Sequence, residues 1–335
     1  MPVYPRITGV SYALPEGIVE NAQIAPLSKW TAEDILRKTG IARRHIAAPK
    51  ETAADLAVAA ARRLLASIKD PQSIDLIAFC TQTPDYALPT SACLIQDRLG
   101  LSTSCAAFDF NLGCSGYVYG LSIVQSMLRS GDAHRALLLT GETYSKWFDV
   151  SDVSVATIFG DAGTATMLEC VEADEPPIGP FSLGTDGRGA SRLIVGGSGA
   201  RLIEGDPLLA NRPDGSCPPD RLYMDGPEVF AFTTRVVPMA VSAYLERNGL
   251  SWDSFDHVVF HQANRFMLDH LRKQCRIPAE KFVLCLEPFG NTVCNTIPVA
   301  LVEMQAAGRL RAGNRLLLIG FGVGYSWGIC ALRWC

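Results

Sequence analysis

The feature that most limits what this chain can fold into is a repeat of itself. Ser73-Ile74-Asp75-Leu76-Ile77-Ala78-Phe79-Cys80 is matched about 180 residues later by Ser254-Phe255-Asp256-His257-Val258-Val259-Phe260-His261. Arg135-Ala136-Leu137-Leu138-Leu139-Thr140-Gly141 is matched by Arg315-Leu316-Leu317-Leu318-Ile319-Gly320 at the same offset. Each first match follows a long helical segment, Thr52 to Ile68 and then Glu228 to Asn248, and each second match follows a helix that closes in a glycine turn. Apolar strands alternating with amphipathic helices predict an α/β protein with largely parallel sheets. The repeat predicts two βαβ-rich halves of common design, residues 1–172 and 173–335, joined near Asp174-Glu175-Pro176-Pro177.

In the first half, Asp109-Phe110-Asn111-Leu112-Gly113-Cys114-Ser115-Gly116 reads as a strand that breaks sharply into a helix. Tyr117, Leu121, Val124, Met127 and Leu128 then recur at helical spacing. Gly113 and Gly116 tolerate a tight turn around Cys114. That setting predicts a cysteine at a helix N-terminus, where free N–H groups and the dipole lower a thiol's pKa and can hold an oxyanion. The chain has 11 cysteines and no C-x-x-C pair, so the others read as reduced, packed thiols rather than a disulfide framework.

The repeat offset carries Cys114 onto Cys294, so the loop containing Asn291 corresponds to the loop containing Cys114. The strand that ends at Cys80 corresponds in turn to the strand that ends at His261. Ligands of α/β sheets bind at the carboxyl ends of strands. One site between the halves is therefore expected, lined by Cys114, His261 and Asn291.

Several function classes drop out. The chain is 48% hydrophobic and 19% charged, which predicts a large core, and a net charge of -4 gives no global signal for nucleic acid. No apolar run reaches the length of a membrane span, and the N-terminal residues lack the shape of a signal peptide, so a cytoplasmic protein is expected. No His, Cys, Asp or Glu grouping has metal-ligand spacing, and no metal is expected. The glycine-dense stretch Gly320 to Gly328 misses the phosphate-loop and dinucleotide fingerprints. It reads instead as a backbone loop whose Gly322, Val323 or Gly324 supplies a second oxyanion N–H. Lys38, Arg43 and Arg44 form one basic group and Arg265, Arg272 and Lys273 another; both are candidates for phosphates or an acidic partner protein. Segment 200–222, with four prolines and poor periodicity, reads as an inserted loop and candidate lid.

The motifs Thr39-Gly40-Ile41 with Arg43-Arg44-His45-Ile46, the Cys114 turn, Phe159-Gly160-Asp161, His261-Gln262-Ala263-Asn264, Gly290-Asn291-Thr292 and the closing Trp327-Gly328 loop occur in this order. Together they resemble the beta-ketoacyl-acyl-carrier-protein synthase III family of thiolase-fold condensing enzymes. The resemblance covers essentially the whole chain. It implies a five-layered αβαβα fold from two pseudo-duplicated halves, a homodimer, acyl carrier protein as partner, and no metal or redox cofactor. It implies Cys114 as the acylated nucleophile, with His261 and Asn291 assisting decarboxylation of a malonyl thioester before condensation to a beta-ketoacyl product. Leu88 and Phe159 are implied as acyl-pocket residues, Leu88 replacing an aromatic residue on a dimer-contact loop. Asp34 and Val153 stand where CoA-primed members look to have a tryptophan and an arginine that clamp adenine, and Trp30 is displaced upstream. An unusual primer, delivered on a carrier protein, is expected. Two alternatives are acyl transfer from Cys114 to an alcohol or amine, and a non-catalytic subunit of a heteromeric synthase.

Overall fold

Each half of the chain builds its own sheet. The first contains β1 (Val3–Ala13), β2 (Leu76–Cys80), β3 (Ala106–Phe110), β4 (Arg135–Glu142) and β5 (Ala162–Glu172), in the order β1-β5-β4-β2-β3. The second contains β6 (Ile178–Thr185), β7 (His257–Phe260), β8 (Arg315–Gly322) and β9 (Ser326–Arg333), in the order β6-β9-β8-β7. The two orders are the same except at one end, where β3 has no strand counterpart and the second half makes only an isolated parallel bridge from Phe282 to Val258. The computed structural model describes residues 2–66, 68–197, 199–201, 208–209 and 220–334. The expected lid at 200–222 lies mostly outside the described residues.

The expectation of largely parallel sheets needs correction. β2 runs parallel to β3 and β4, and β7 to β8, but β1, β5, β6 and β9 pair antiparallel with their neighbours. The last strand of each half turns back on the strand before it, so both sheets are mixed.

Local sequence sets the helices. α1 (Ala32–Thr39) and α2 (Ala53–Leu65) each begin with a capping box, Thr31 with Asp34 and Thr52 with Asp55. Asp109 is the one charge in β3 because its carboxylate caps α3 (Ser91–Arg98), accepting from the Ser91 and Ala92 N–H groups at 2.6 and 2.7 Å. α4 (Gly116–Ser130) is sandwiched between the sheets, where Tyr117, Leu121 and Val124 meet Ala78 and Leu138 on one side and Val259 and Leu318 on the other. Of the later helices, α5 (Gly226–Arg247) and α6 (Arg265–Gln274) cover the outer face of the second sheet, over Val258, Phe260, Leu317 and Ile319. α7 (Thr296–Ala306) lies beside α4 in the central layer. α2 and α3 cover the outer face of the first sheet, over Ile77, Phe79, Leu137 and Leu139.

The result is five layers, αβαβα. Strands β2, β4, β7 and β8 are buried on both faces, which accounts for their unbroken apolar runs. Cys114 precedes α4 and Asn291 precedes α7, so the buried central helices carry both candidate turns to one end of the sandwich.

Candidate active site

Cys114 lies two residues before α4 begins and is 7% exposed. Gly322, at the end of β8, passes directly over it. A Cβ added to Gly322 would sit 2.6 Å from Cys114 Cβ and 2.8 Å from Sγ, so only glycine permits this approach. The N–H groups of Val323 and of Cys114 itself face the sulfur. A lowered thiol pKa was expected here, and the structure reverses its sign. Burial pushes the thiol up to about 12, the charge of Glu142 adds to the rise, and the two N–H groups pull the other way without winning. At neutral pH the Cys114 side chain is a protonated thiol.

His261 follows β7 directly and is 1% exposed. Burial lowers its pKa to about 3, so the ring is neutral at physiological pH. Its Nδ1 lies 2.7 Å from Thr296 Oγ1, and the ring meets Phe321 edge-on, with centroids 5.5 Å apart. Nε2 is the nitrogen left for the cavity that His261 helps to line. Asn291 belongs to the second half but its backbone is held by the first: its N–H donates to Ile158 O at 2.9 Å, and its carbonyl accepts from Gly160 at 3.0 Å. Its side-chain Oδ1 accepts from the Val293 N–H at 2.9 Å, which leaves the NH2 as the free end of the amide. Val293 makes this contact from a left-handed conformation, φ 58°, which is rare for a β-branched residue. Its carbonyl accepts from the Thr296 hydroxyl at 3.2 Å, so one strained residue touches the supports of both Asn291 and His261.

Cys114, His261, Asn291, Phe159 and Gly322 line one inner chamber of about 110 Å3. Ile158, Met224, Gly226 and Asn264 are shared with a wider vestibule of about 500 Å3, which carries Trp30, Lys38 and Phe266. Trp30, although displaced in sequence, therefore faces the vestibule, and Lys38 Nζ caps its ring at 3.7 Å. Asp34 is engaged in the α1 capping box and in an ion pair with Arg37. Val153 opens a short helix whose Ser154 and Thr157 line the vestibule.

The basic candidates separate. Arg43 and Lys273 are exposed, and Arg265 starts α6 against Gly40 with Asp269 at 3.7 Å. Arg272 donates to the carbonyl of Ile277 at 3.4 Å. Arg44 is a correction: it is fully buried, donates to Asn21 Oδ1 at 2.7 Å and to the carbonyl of Thr157, and cannot reach a ligand in solution. Leu88 is 86% exposed and lines no chamber around Cys114 within one chain.

Three buried polar groups stand behind the site; sequence reading missed Glu142 and Thr296 and had Asp161 only as part of a motif. Glu142 ends β4 with no exposure and accepts from the Gln82 N–H at 2.9 Å, the Thr83 hydroxyl at 3.0 Å and the Cys294 thiol at 3.5 Å; burial raises its pKa to about 8. Asp161, raised by burial to about 6, ties Ala47 to Ser145. Thr296 supports the His261 ring. A lone acid at the end of an apolar strand was the available signal for Glu142. Among the described residues, no group of three or more His, Cys, Asp or Glu is placed to hold a metal, and no helix is long and apolar enough to cross a membrane.

Comparison with known proteins agrees over the full length. Residues 108–187 match the family model described as 3-oxoacyl-(acyl-carrier-protein) synthase III, and residues 245–334 match the model of its C-terminal part. A beta-ketoacyl-(acyl-carrier-protein) synthase III of Methylococcus capsulatus is 36% identical over 332 residues, 99% of each chain. A crystal structure of a 3-oxoacyl-(acyl-carrier-protein) synthase III is 47% identical, with a TM-score of 0.93 over 99% of this chain and 100% of that one. A 3-oxoacyl-(acyl-carrier protein) synthase from Burkholderia xenovorans LB400 is 38% identical, with a TM-score of 0.92 over 99% of this chain and 94% of that one.

Proposed function

The chain belongs to the 3-oxoacyl-(acyl-carrier-protein) synthase III family, and from that premise we propose how its residues divide the reaction. The activity is that of a condensing acyltransferase: an acyl group is joined to the two-carbon unit of a malonyl thioester to give a beta-ketoacyl product, with acyl carrier protein as substrate carrier.

Cys114 Sγ attacks the primer thioester. Its new S–C bond replaces the carrier's, and the thiol proton leaves with the carrier thiol. The N–H groups of Cys114 and Val323 hold the oxyanion. A malonyl thioester then enters and loses carbon dioxide, and the electron pair of the broken C–C bond becomes an enolate. His261 Nε2–H and the Asn291 NH2 donate to the enolate oxygen. For Nε2 to carry the proton, the Thr296 hydroxyl turns from the Val293 carbonyl, which it meets in the resting structure, and donates to Nδ1. A neutral imidazole suits this task, since it donates a hydrogen bond without surrendering a proton to the enolate. The enolate carbon attacks the Cys114 thioester, and the sulfur leaves as a thiolate that takes a proton from solvent.

The observation that carries this reading is the Asn291 amide, whose oxygen is already taken by Val293 while its donor end remains free beside Cys114 and His261. Simple acyl transfer to an alcohol or amine would leave that donor without a task.

The same reading includes the two halves, 1–172 and 173–335, a cytoplasmic location, and no metal or redox cofactor. It includes a homodimer, supported by the open edge of β3 and by Leu88, 86% exposed on a neighbouring loop. In the dimer Leu88 borders the acyl pocket. Lys38, Arg43, Arg265, Arg272 and Lys273 remain the carrier-facing candidates. The test is the intact-protein mass after mixing with acyl-carrier-protein thioesters. A gain of one acyl group is expected, absent in Cys114→Ala; equal labelling of that variant would sink the assignment.

A further inference from the structure

Beside the inner chamber lies a second pocket, of about 210 Å3, to which the steps above give no occupant. Gln82, Asn111, Tyr144, Trp147, Leu193 and Val323 line it. It adjoins the nucleophile's chamber at Leu193, which lines both, and at Val323, whose N–H faces Cys114 Sγ. A Cβ added at Gly113 would lie 2.5 Å from Gln82 Oε1, so the Gln82 amide rests against the residue just before the nucleophile. An acyl chain held on Sγ therefore starts beside Leu193 and Val323, the residues that border this pocket.

The pocket is polar where an alkyl chain would want it dry. The Tyr144 hydroxyl donates to Gln82 Oε1, and Gln82 Nε2 donates to Asn111 Oδ1 at 3.1 Å. Tyr144 is 2% exposed and fixed by aromatic contacts, its ring 5.4 Å from that of Trp147 and 5.2 Å from that of Phe159. Counting protons along this chain, the Tyr144 proton and one Gln82 proton are consumed. The second Gln82 Nε2 proton and both Asn111 Nδ2 protons have no acceptor among the described residues. Covering the half-buried Gln82 donor with a hydrocarbon costs about 1–3 kcal/mol, less at the exposed Asn111, whereas an oxygen acceptor restores the bond.

We infer that the primer carried on Cys114 is an oxygenated acyl group, with a hydroxyl or oxo oxygen a few carbons from the thioester that is received by the Gln82 and Asn111 amides. This rests on Cys114 being the acylated nucleophile, as proposed above. Trp147, Leu193 and Val323 take the carbon chain, and the small volume limits it to a short one.

The experiment compares butyryl, 3-hydroxybutyryl and 3-oxobutyryl thioesters of one acyl carrier protein, following intact mass against time. The three primers share a carbon count, so oxygen is the variable. The native chain is expected to label with an oxygenated primer at least about tenfold faster than with butyryl. Gln82→Leu, and independently Asn111→Ala at an exposed position, are expected to shrink that ratio toward one. A preference confined to the hydroxyl or to the oxo primer identifies which oxygen is used. Faster or equal butyryl labelling by the native chain overturns the inference while leaving the acyl-enzyme intact. So does an oxygen preference that survives both substitutions. Failure of all three to label Cys114 overturns the acyl-enzyme reading itself.

Discussion

The turn before α4 and the turn before α7 occupy equivalent places in two halves of one topology, yet they do opposite things with the same residue. Each has a cysteine two residues before its helix, Cys114 and Cys294. Cys114 opens onto the inner chamber because Gly322 leaves room above its sulfur. The Cys294 thiol is turned inward, 3.5 Å from Glu142 Oε1 and 1% exposed, and the chamber at that turn is served by Asn291 instead. Topology decides where a turn sits; the backbone beside it and one neighbouring glycine decide which side chain reaches substrate. Val293 in its left-handed conformation gives the second turn its own shape, and the first has no such residue.

The sharpest way to break this comparison is to remove each cysteine in turn. Cys114→Ala is expected to abolish acylation, whereas Cys294→Ala should keep an acylated Cys114 and lose only about 1–2 kcal/mol of stability from the small cavity. Intact mass and urea unfolding measure both. Comparable loss of acylation in the two variants would show that the turns are not divided in this way.

Gly322→Ala is the next largest effect. Its Cβ would stand 2.8 Å from Sγ, so the strand must shift and carry the Val323 N–H away from the oxyanion position. Acylation is expected to fall about 10²-fold with little change in thermal stability; unchanged kinetics would remove the role given to this approach.

The smallest effect concerns Glu142, which separates the two turns. Its folded pKa of about 8 lies above the ordinary carboxylate value of 4.5, so above pH 4.5 the unfolded chain has lost a proton that the folded chain keeps. Stability therefore falls as pH rises toward 8 and levels off beyond it. Between pH 7 and 8, past the Asp161 value of about 6 and the ordinary histidine value of 6.5, the loss should be about 1 kcal/mol. Glu142→Gln should flatten that slope, as read from urea midpoints at the two pH values. An identical slope in the variant would mean that another group sets it.

Much of this was legible in residues. The repeat gave the paired sheets because doubly buried strands must be apolar throughout, and β2 and β7 kept enough of that pattern to be aligned. The strand-to-helix break at Gly113-Cys114-Ser115-Gly116 and its counterpart near Asn291 followed from the same offset. The thiol's pKa was misread because the helix terminus is visible in sequence and the depth of burial is not. Arg44 was misread for the same reason, a charge in a basic run that folds inward onto Asn21 and Thr157. Gln82, Tyr144 and Asn111 meet only in three dimensions, from the ends of three different strands. The antiparallel return of β9 follows a short connection at 323–325 and that of β5 a long one at 143–161, and periodicity registers the direction of neither strand.

The central claim is that the first half carries the acyl group while the second half makes the carbon nucleophile. The most direct test measures two rates on the same proteins, acylation of Cys114 and release of labelled carbon dioxide from malonyl-acyl-carrier protein, for His261→Ala and Asn291→Ala. The account predicts that carbon dioxide release falls about 10²–10³-fold in each while acylation stays close to that of the parent chain. Parallel loss of both rates would contradict it.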